Sequence, residues 1–303
     1  MFIILIKLLP ILLLFLLGIA LRRFGVLERG GADRLLRLVA YVGIPALTLT
    51  SVGQAELRAE FALLPLTVVL TVLATATIAW GVGRRLRLAR PTLGVFVIGP
   101  SIMNLAVEFP FVLAVWGQEG FVQFMFLDFG NGLVVLTFLY ALAGWFGGRA
   151  RGAGEIFRHL ARFPPIWALA AALTINLSGL GLNETLAQAL NGIGTISILL
   201  VMVALGVHFK PRRVRSALIL YPILLRVGLG LALGWLWVLL LDLDGLTRSL
   251  VLFGAVAPVG FNTLVFASLE KLDEEFAAGV VSLSVLISLF YLPVTALLLA
   301  APH

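Results

Sequence analysis

Two short stretches carry the residue types most able to do chemistry, Gly99-Pro100-Ser101-Ile102-Met103-Asn104 and Ala257-Pro258-Val259-Gly260-Phe261-Asn262. Both read small-Pro-x-x-x-Asn, and the same 158 residues separate the two prolines and the two asparagines. Each stretch lies inside an apolar run. A proline there has no N–H and frees the carbonyl four residues earlier, at Phe96 and Gly254, so each helix is expected to break. Unpaired backbone at membrane depth is tolerated only where protein or a polar cavity satisfies it. Approached from opposite sides, the half-helices after the breaks would aim two positive N-termini at one spot, which favours an anion. Asn104 and Asn262 would cap those half-helices or donate amide hydrogens to the anion. One such motif alone is an ordinary proline kink with an asparagine cap; two matching motifs in antiparallel segments point to a transport site. The expected binding residues are Pro100, Ser101, Asn104, Pro258, Val259 and Asn262, joined by Pro45 and Asn131.

Glu108, Asp128 and Arg226 also fall within apolar runs, where an unpaired charge costs about 2.5–3.5 kcal/mol or more. They need partners or water. In one reading Glu108 or Asp128 carries a coupling proton or Na⁺, while Arg226 balances the acidic charge or attracts the anion. In the other, a static Arg–carboxylate pair ties helices together. Asn131, one turn from Asp128, is expected to face the same cavity. Ser284, Ser288 and Tyr291 share a helix face, where interhelical hydrogen bonding is the simpler role. Lys7 is expected to snorkel to the interface, Glu270, Asp273, Glu274 and Glu275 to form a solvated turn, and His208 to sit on a helix dipole. With no cysteine, thiolate and disulfide chemistry is excluded, and His159, His208 and His303 are scattered without HExxH. GxSxG is absent too, so no enzyme template finds its residues, and no cofactor or metal is expected.

The elements that must position these residues are membrane spans. Of 303 residues, 61% are hydrophobic and 12% charged, and the mean hydropathy is +1.11, far from a soluble composition. Apolar runs predict ten spans, near 3–22, 34–52, 62–83, 92–116, 121–147, 164–181, 186–207, 216–241, 247–269 and 276–300. The first is a retained helix rather than a signal peptide, because Arg22 and Arg23 follow the apolar stretch. Lys and Arg number 18 in the odd gaps and their edges, with Arg22, Arg34 and Arg37 counted to the first, and 2 in the even ones, so the odd gaps are expected inside and both termini outside. That alternation accounts for the net charge of +7 without nucleic acid. Five spans per half make the second half inverted: a first repeat over 1–148, a cytoplasmic linker over 149–163 and a second repeat over 164–303. The fold class is therefore an all-α polytopic membrane protein whose fourth and ninth spans are broken and cross.

Four stretches resemble the auxin-efflux-carrier family of plant exporters and bacterial organic-acid permeases: Arg37-Leu-Val-Ala-Tyr-Val-Gly-Ile-Pro45-Ala-Leu, Phe163-Pro164-Pro165-Ile166, the second Pro-Asn motif, and Asp273 through Ser284 leading into Tyr291-Leu-Pro293. The similarity spans nearly the whole chain. It implies a scaffold of spans 1, 2, 6 and 7, dimeric through that scaffold, and a transport domain of spans 3–5 and 8–10 moving as an elevator. It also implies a substrate carboxylate at Asn104 and Asn262. Two departures stand out: Asn104 is followed by Leu-Ala-Val-Glu108-Phe-Pro110 rather than a glycine-rich stretch, and the third span offers Thr67, Thr71, Thr75 and Thr77 in place of an ionisable pair. The expectation is a secondary carrier of a small organic anion in the cytoplasmic membrane, an auxin-like aromatic acid or a dicarboxylate. Its alternatives are an H⁺- or Na⁺-coupled importer similar to bile-acid symporters, and a non-transporting receptor for the same ligand.

Overall fold

A computed structural model describes residues 2–149, 151–209 and 217–300. The side chain of Lys7, together with Lys210, Arg212, Arg213, Arg215 and His303, lies outside the described residues. The chain begins with α1 (Phe2–Arg23), then a bent stretch in which α2 (Arg29–Leu38) passes through a π-helical turn into α3 (Ile44–Gly53). The wide turn Val39–Gly43 directly precedes Pro45, and Ile44 N–H reaches back five residues to Val39 O; a missing proline N–H makes such a turn tolerable.

Next come α4 (Leu63–Arg85), α5 (Arg90–Ser101), α6 (Leu105–Val134) and, past a second π turn, α7 (Tyr140–Phe146). A short helix, α8 (Ala153–Ala161), then bends by 65° into α9 (Pro164–Ser178), so the expected linker is itself partly helical. The rest is α10 (Glu184–His208), α11 (Leu220–Leu240), α12 (Gly245–Ala255), α13 (Asn262–Leu269) and α14 (Glu274–Leu299). Among the described residues six helical stretches are long and apolar enough to cross a bilayer, seven if α8 and α9 count as one bent span.

The expected run 92–116 is two helices, α5 and the start of α6, and the run 247–269 is likewise α12 and α13. No open loop follows the first of these. Helix continues from Leu105 to Phe146 and changes direction at Gly117, whose φ of 65° and ψ of −155° belong to a region essentially reserved for glycine.

Packing divides the helices into two groups. In one, α10 lies along α1, α2 and α3, and α9 lies along α3. Gly18 and Gly206 face each other there so closely that a Cβ on either would overlap the opposing backbone, the small-residue contact that lets helices associate in lipid. Arg22 donates to Val207 O and Phe209 O at 3.0 and 2.9 Å, serving carbonyls at the end of α10. In the other group α4 packs on α5, α6 and α11, and α12 on α6, α11 and α14. Gly130 of α6 rests against the backbone of Pro65, and Trp237 Nε1 donates to Thr71 Oγ1 at 2.8 Å. The groups meet mainly where α6 touches α1, α3 and α10.

The acidic turn before α14 is not simply solvated. Glu270 is buried and pairs with Arg151, which also pairs with Glu155 and lies over the Tyr140 ring. Asp273 accepts from Phe276 N at 3.0 Å and Thr92 Oγ1 at 2.8 Å. A basic residue in the preceding linker and a helix N-terminus therefore take up the charge that the sequence alone assigns to water.

Candidate functional site

The two broken helices cross. Between α5 and α6, and between α12 and α13, the unwound segments run antiparallel, with Met103 opposite Val259. Asn104 N–H donates to Pro258 O and Gly260 N–H to Ile102 O, both at 2.9 Å. A Cβ at Gly260 would overlap the Ile102 side chain, so the close approach of the segments requires glycine there. Side chains from neighbouring helices serve the backbone that remains. Asn131 Oδ1 accepts from Met103 N at 3.3 Å while its Nδ2 donates to Met103 O at 3.1 Å. Ser284 Oγ accepts from Val259 N at 2.9 Å, and Tyr291 donates to Val256 O at 2.7 Å. Protein thus meets the demand that buried, non-helical backbone be satisfied.

Arg226 is fully buried and spans both breaks. Its Nη1 donates to Pro100 O at 3.2 Å and its Nη2 to Ala255 O at 2.9 Å, carbonyls at the C-terminal ends of α5 and α12. A guanidinium is the natural partner of two negative helix ends. Among the described residues Arg226 forms no ion pair with Glu108 or Asp128, so the static Arg–carboxylate pair is not what holds these helices; the freed carbonyls take the guanidinium instead. Glu108 sits in the first turn of α6, whereas α13 has no acidic residue in its first turn. The first turn of α6 therefore holds a buried carboxyl group and that of α13 holds none.

Several buried polar atoms at these elements have no hydrogen-bond partner: Asn104 Nδ2, both carboxylate oxygens of Glu108, Arg226 Nε and Thr263 Oγ1. Asn104 holds the N-cap position of α6 without a side-chain cap bond and is 5% exposed. Asn262 is the first residue of α13, with Phe261 at the cap position, and its side chain is exposed. Neither asparagine caps its helix, which leaves both amides free for another role. Ser101 turns its hydroxyl back to Val97 O at 2.8 Å, and Ser288 likewise to Val285 O. Pro100, Pro258 and Val259 are buried in the crossing, and Pro45 is half-buried at the start of α3.

Asp128 lies apart from Glu108, in a cavity of about 20 Å³ bounded by Ile44, Thr48, Met125 and Phe163, with its carboxylate against Asn131. His208 pairs with Asp33 at 3.0 Å. Sequence reasoning missed a larger cavity, about 680 Å³, bounded by α3, α6 and α10. Across it Gln118 links Ser51 and Asn191. Gly117 beside Gln118 was the one signal available, since a glycine between two apolar runs marks a turn.

A family model described as "membrane transport protein" matches residues 3–148 and 153–296. The chain belongs to that family, the auxin efflux carriers. A protein of Methanothermobacter thermautotrophicus named "uncharacterized transporter" is 29% identical over 300 residues, covering 96% of this chain and 97% of the relative. An uncharacterized transporter of Methanocaldococcus jannaschii is 24% identical over 292 residues, with 92% and 93% covered. This member of the auxin efflux carrier family is thus a multi-pass membrane transport protein and not an enzyme.

Proposed function

We propose that the protein is a secondary carrier of a small organic anion, a carboxylate, that binds where the two broken helices cross. The observation that carries this reading is the crossing itself, two unwound segments paired at Met103 and Val259 with helix N-termini following each. Because Asn262 is exposed and Asn104 is buried, the N-terminus of α13 is the more accessible anion seat, and the unpartnered amide of Asn104 is the second donor.

In this reading the chain crosses the membrane ten times as two inverted five-helix repeats, with both termini outside. The group containing α1, α2, α3, α9 and α10 is the scaffold and pairs with a second copy in a homodimer. The group containing α4–α7 and α11–α14 moves as an elevator. The separate packing of the two groups and their meeting mainly along α6 support that division. Asp128 is the coupling group, since it faces a cavity at the junction of the groups whereas Glu108 is sealed from solvent.

Counterflow tests the carrier reading. Liposomes preloaded with a carboxylate and given a trace of the labelled compound outside should show a transient overshoot of label, which alternating access produces. Steady filling without overshoot would mean a channel, and saturable binding without entry would mean a receptor.

A further inference from the structure

Two cavities follow one seam between α3 and α6. The larger touches Thr50 and Ser51 of α3, Gln118 and Val122 of α6, and Glu184 and Asn191 of α10. Ser51 donates to Gln118 Oε1 at 2.7 Å and Gln118 Nε2 donates to Asn191 Oδ1 at 3.0 Å. The smaller lies further along the same two helices, at Ile44 and Thr48 of α3 and Met125, Asp128 and Gly132 of α6. Its volume, about 20 Å³, has room for one water. Residues 118, 122, 125, 129 and 132 of α6, and 51, 48 and 44 of α3, recur at steps of three and four, so one face of each helix lines the seam throughout.

Between the cavities Thr48 Oγ1 lies 3.5 Å from Met125 Sδ, and both residues are buried. Beyond them Asp128 rests on Asn131, whose amide grips both backbone groups of Met103. The larger cavity, the Thr48–Met125 contact and Asp128 thus follow one another along the seam, and Asn131 joins its far end to the crossing.

We propose that the Met125–Thr48 contact is a gate that closes the route from the larger cavity to the crossing, and that substrate on that side travels along the α3–α6 seam. Methionine suits a gate because it is unbranched and has three rotatable bonds, so it swings aside without backbone movement. The hydroxyls of Thr48, Thr50 and Ser51 give a polar solute partners along the way. The proposal rests on the carrier reading only for the identity of what passes, and probing the gate needs no substrate, so the two stand or fall separately.

The chain contains no cysteine, which makes any introduced thiol the single reactive one. Ser51→Cys reports on the larger cavity and Gly132→Cys on the smaller. A Cβ at 132 would meet Phe163 at 3.6 Å, an ordinary contact, so that variant keeps the fold. Silver ion, which reaches wherever water reaches, is applied from the large-cavity side of sealed vesicles, and the thiol it leaves unreacted is then alkylated and counted by mass spectrometry. Ser51→Cys should react in every background. Gly132→Cys should be protected beside Met125 or the volume-conserving Met125→Leu, and should react about tenfold faster or more beside Met125→Ala. Thr48→Ala opens the same contact from the other side and serves if Met125→Ala does not fold. Protection of Gly132→Cys in a folded opening variant whose Ser51→Cys counterpart reacts would overturn the gate, as would rapid reaction of Gly132→Cys beside native Met125.

Discussion

Arg226 and Glu108 sit at opposite ends of broken helices, and their substitution should differ in consequence. Replacing Arg226 by leucine leaves Pro100 O and Ala255 O buried without donors, which costs about 1–3 kcal/mol each. We expect a clear fall in melting temperature in detergent, only partly recovered by Arg226→Lys, because an ammonium lacks the fork that reaches both carbonyls. An unchanged melting temperature would mean the guanidinium is held elsewhere. Glu108→Gln exchanges a buried, unpartnered carboxyl group at the α6 N-terminus for an amide of the same shape. The apparent KM for an anionic substrate should stay within about twofold of wild type; a fall of about fivefold, the size of a helix-end charge effect of about 1 kcal/mol, would show that Glu108 is charged and opposes the substrate. Both residues stand out in the sequence as charges in apolar runs. Their partners do not, because Arg226 bonds carbonyls 126 and 29 residues away and backbone carbonyls leave no mark in residue type.

At the scale of the element, the breaks in the fourth and ninth expected spans were legible because a proline cannot donate the bond its position requires. What braces the breaks was only half legible. Ser284 and Tyr291 share a face of α14 and do bond across to the second unwound segment, as a polar stripe implies. Asn131 was expected to face the same cavity as Asp128, but Asn131 is not among the residues that line the cavity at Asp128; its amide serves Met103 instead, a contact that only the antiparallel pairing of distant segments creates. Asn131→Leu, a near-isosteric change that leaves Met103 N–H and C=O unserved, should abolish transport while the protein still reaches the membrane, scored by surface labelling. Retention of full transport would show that the bridge between Met103 and Val259 suffices alone. The interval between the expected spans 92–116 and 121–147 is no open loop: a single glycine, Gly117, in a conformation closed to other residues, turns the chain there.

For the whole molecule, ten apolar runs and alternating basic gaps were readable from composition, whereas the partition of helices into two packed groups depends on which faces meet. Gly18 and Gly206 show why. Neither stands in a motif, yet each is where two backbones touch. Gly206→Leu should drive α1 from α10 and lower stability more than the same change at Gly228, beside which nothing packs; equal effects would argue against a rigid scaffold. If a proton couples the cycle, Asp128→Asn should make transport independent of pH while Glu108→Gln keeps the wild-type pH profile, and the reverse pattern would move coupling to Glu108. The central claim is an anion seat at the crossing, and currents from the purified protein on a solid-supported membrane test it most directly. With aromatic monocarboxylates and small dicarboxylates offered in turn, one class should give saturable currents. Loss of a hydrogen bond to a charged group, about 1.5–3 kcal/mol, should weaken apparent affinity by roughly 10- to 100-fold in Asn262→Ala and in Asn104→Ala. Saturable currents with wild-type affinity in both variants would place the anion away from the crossing and contradict the account.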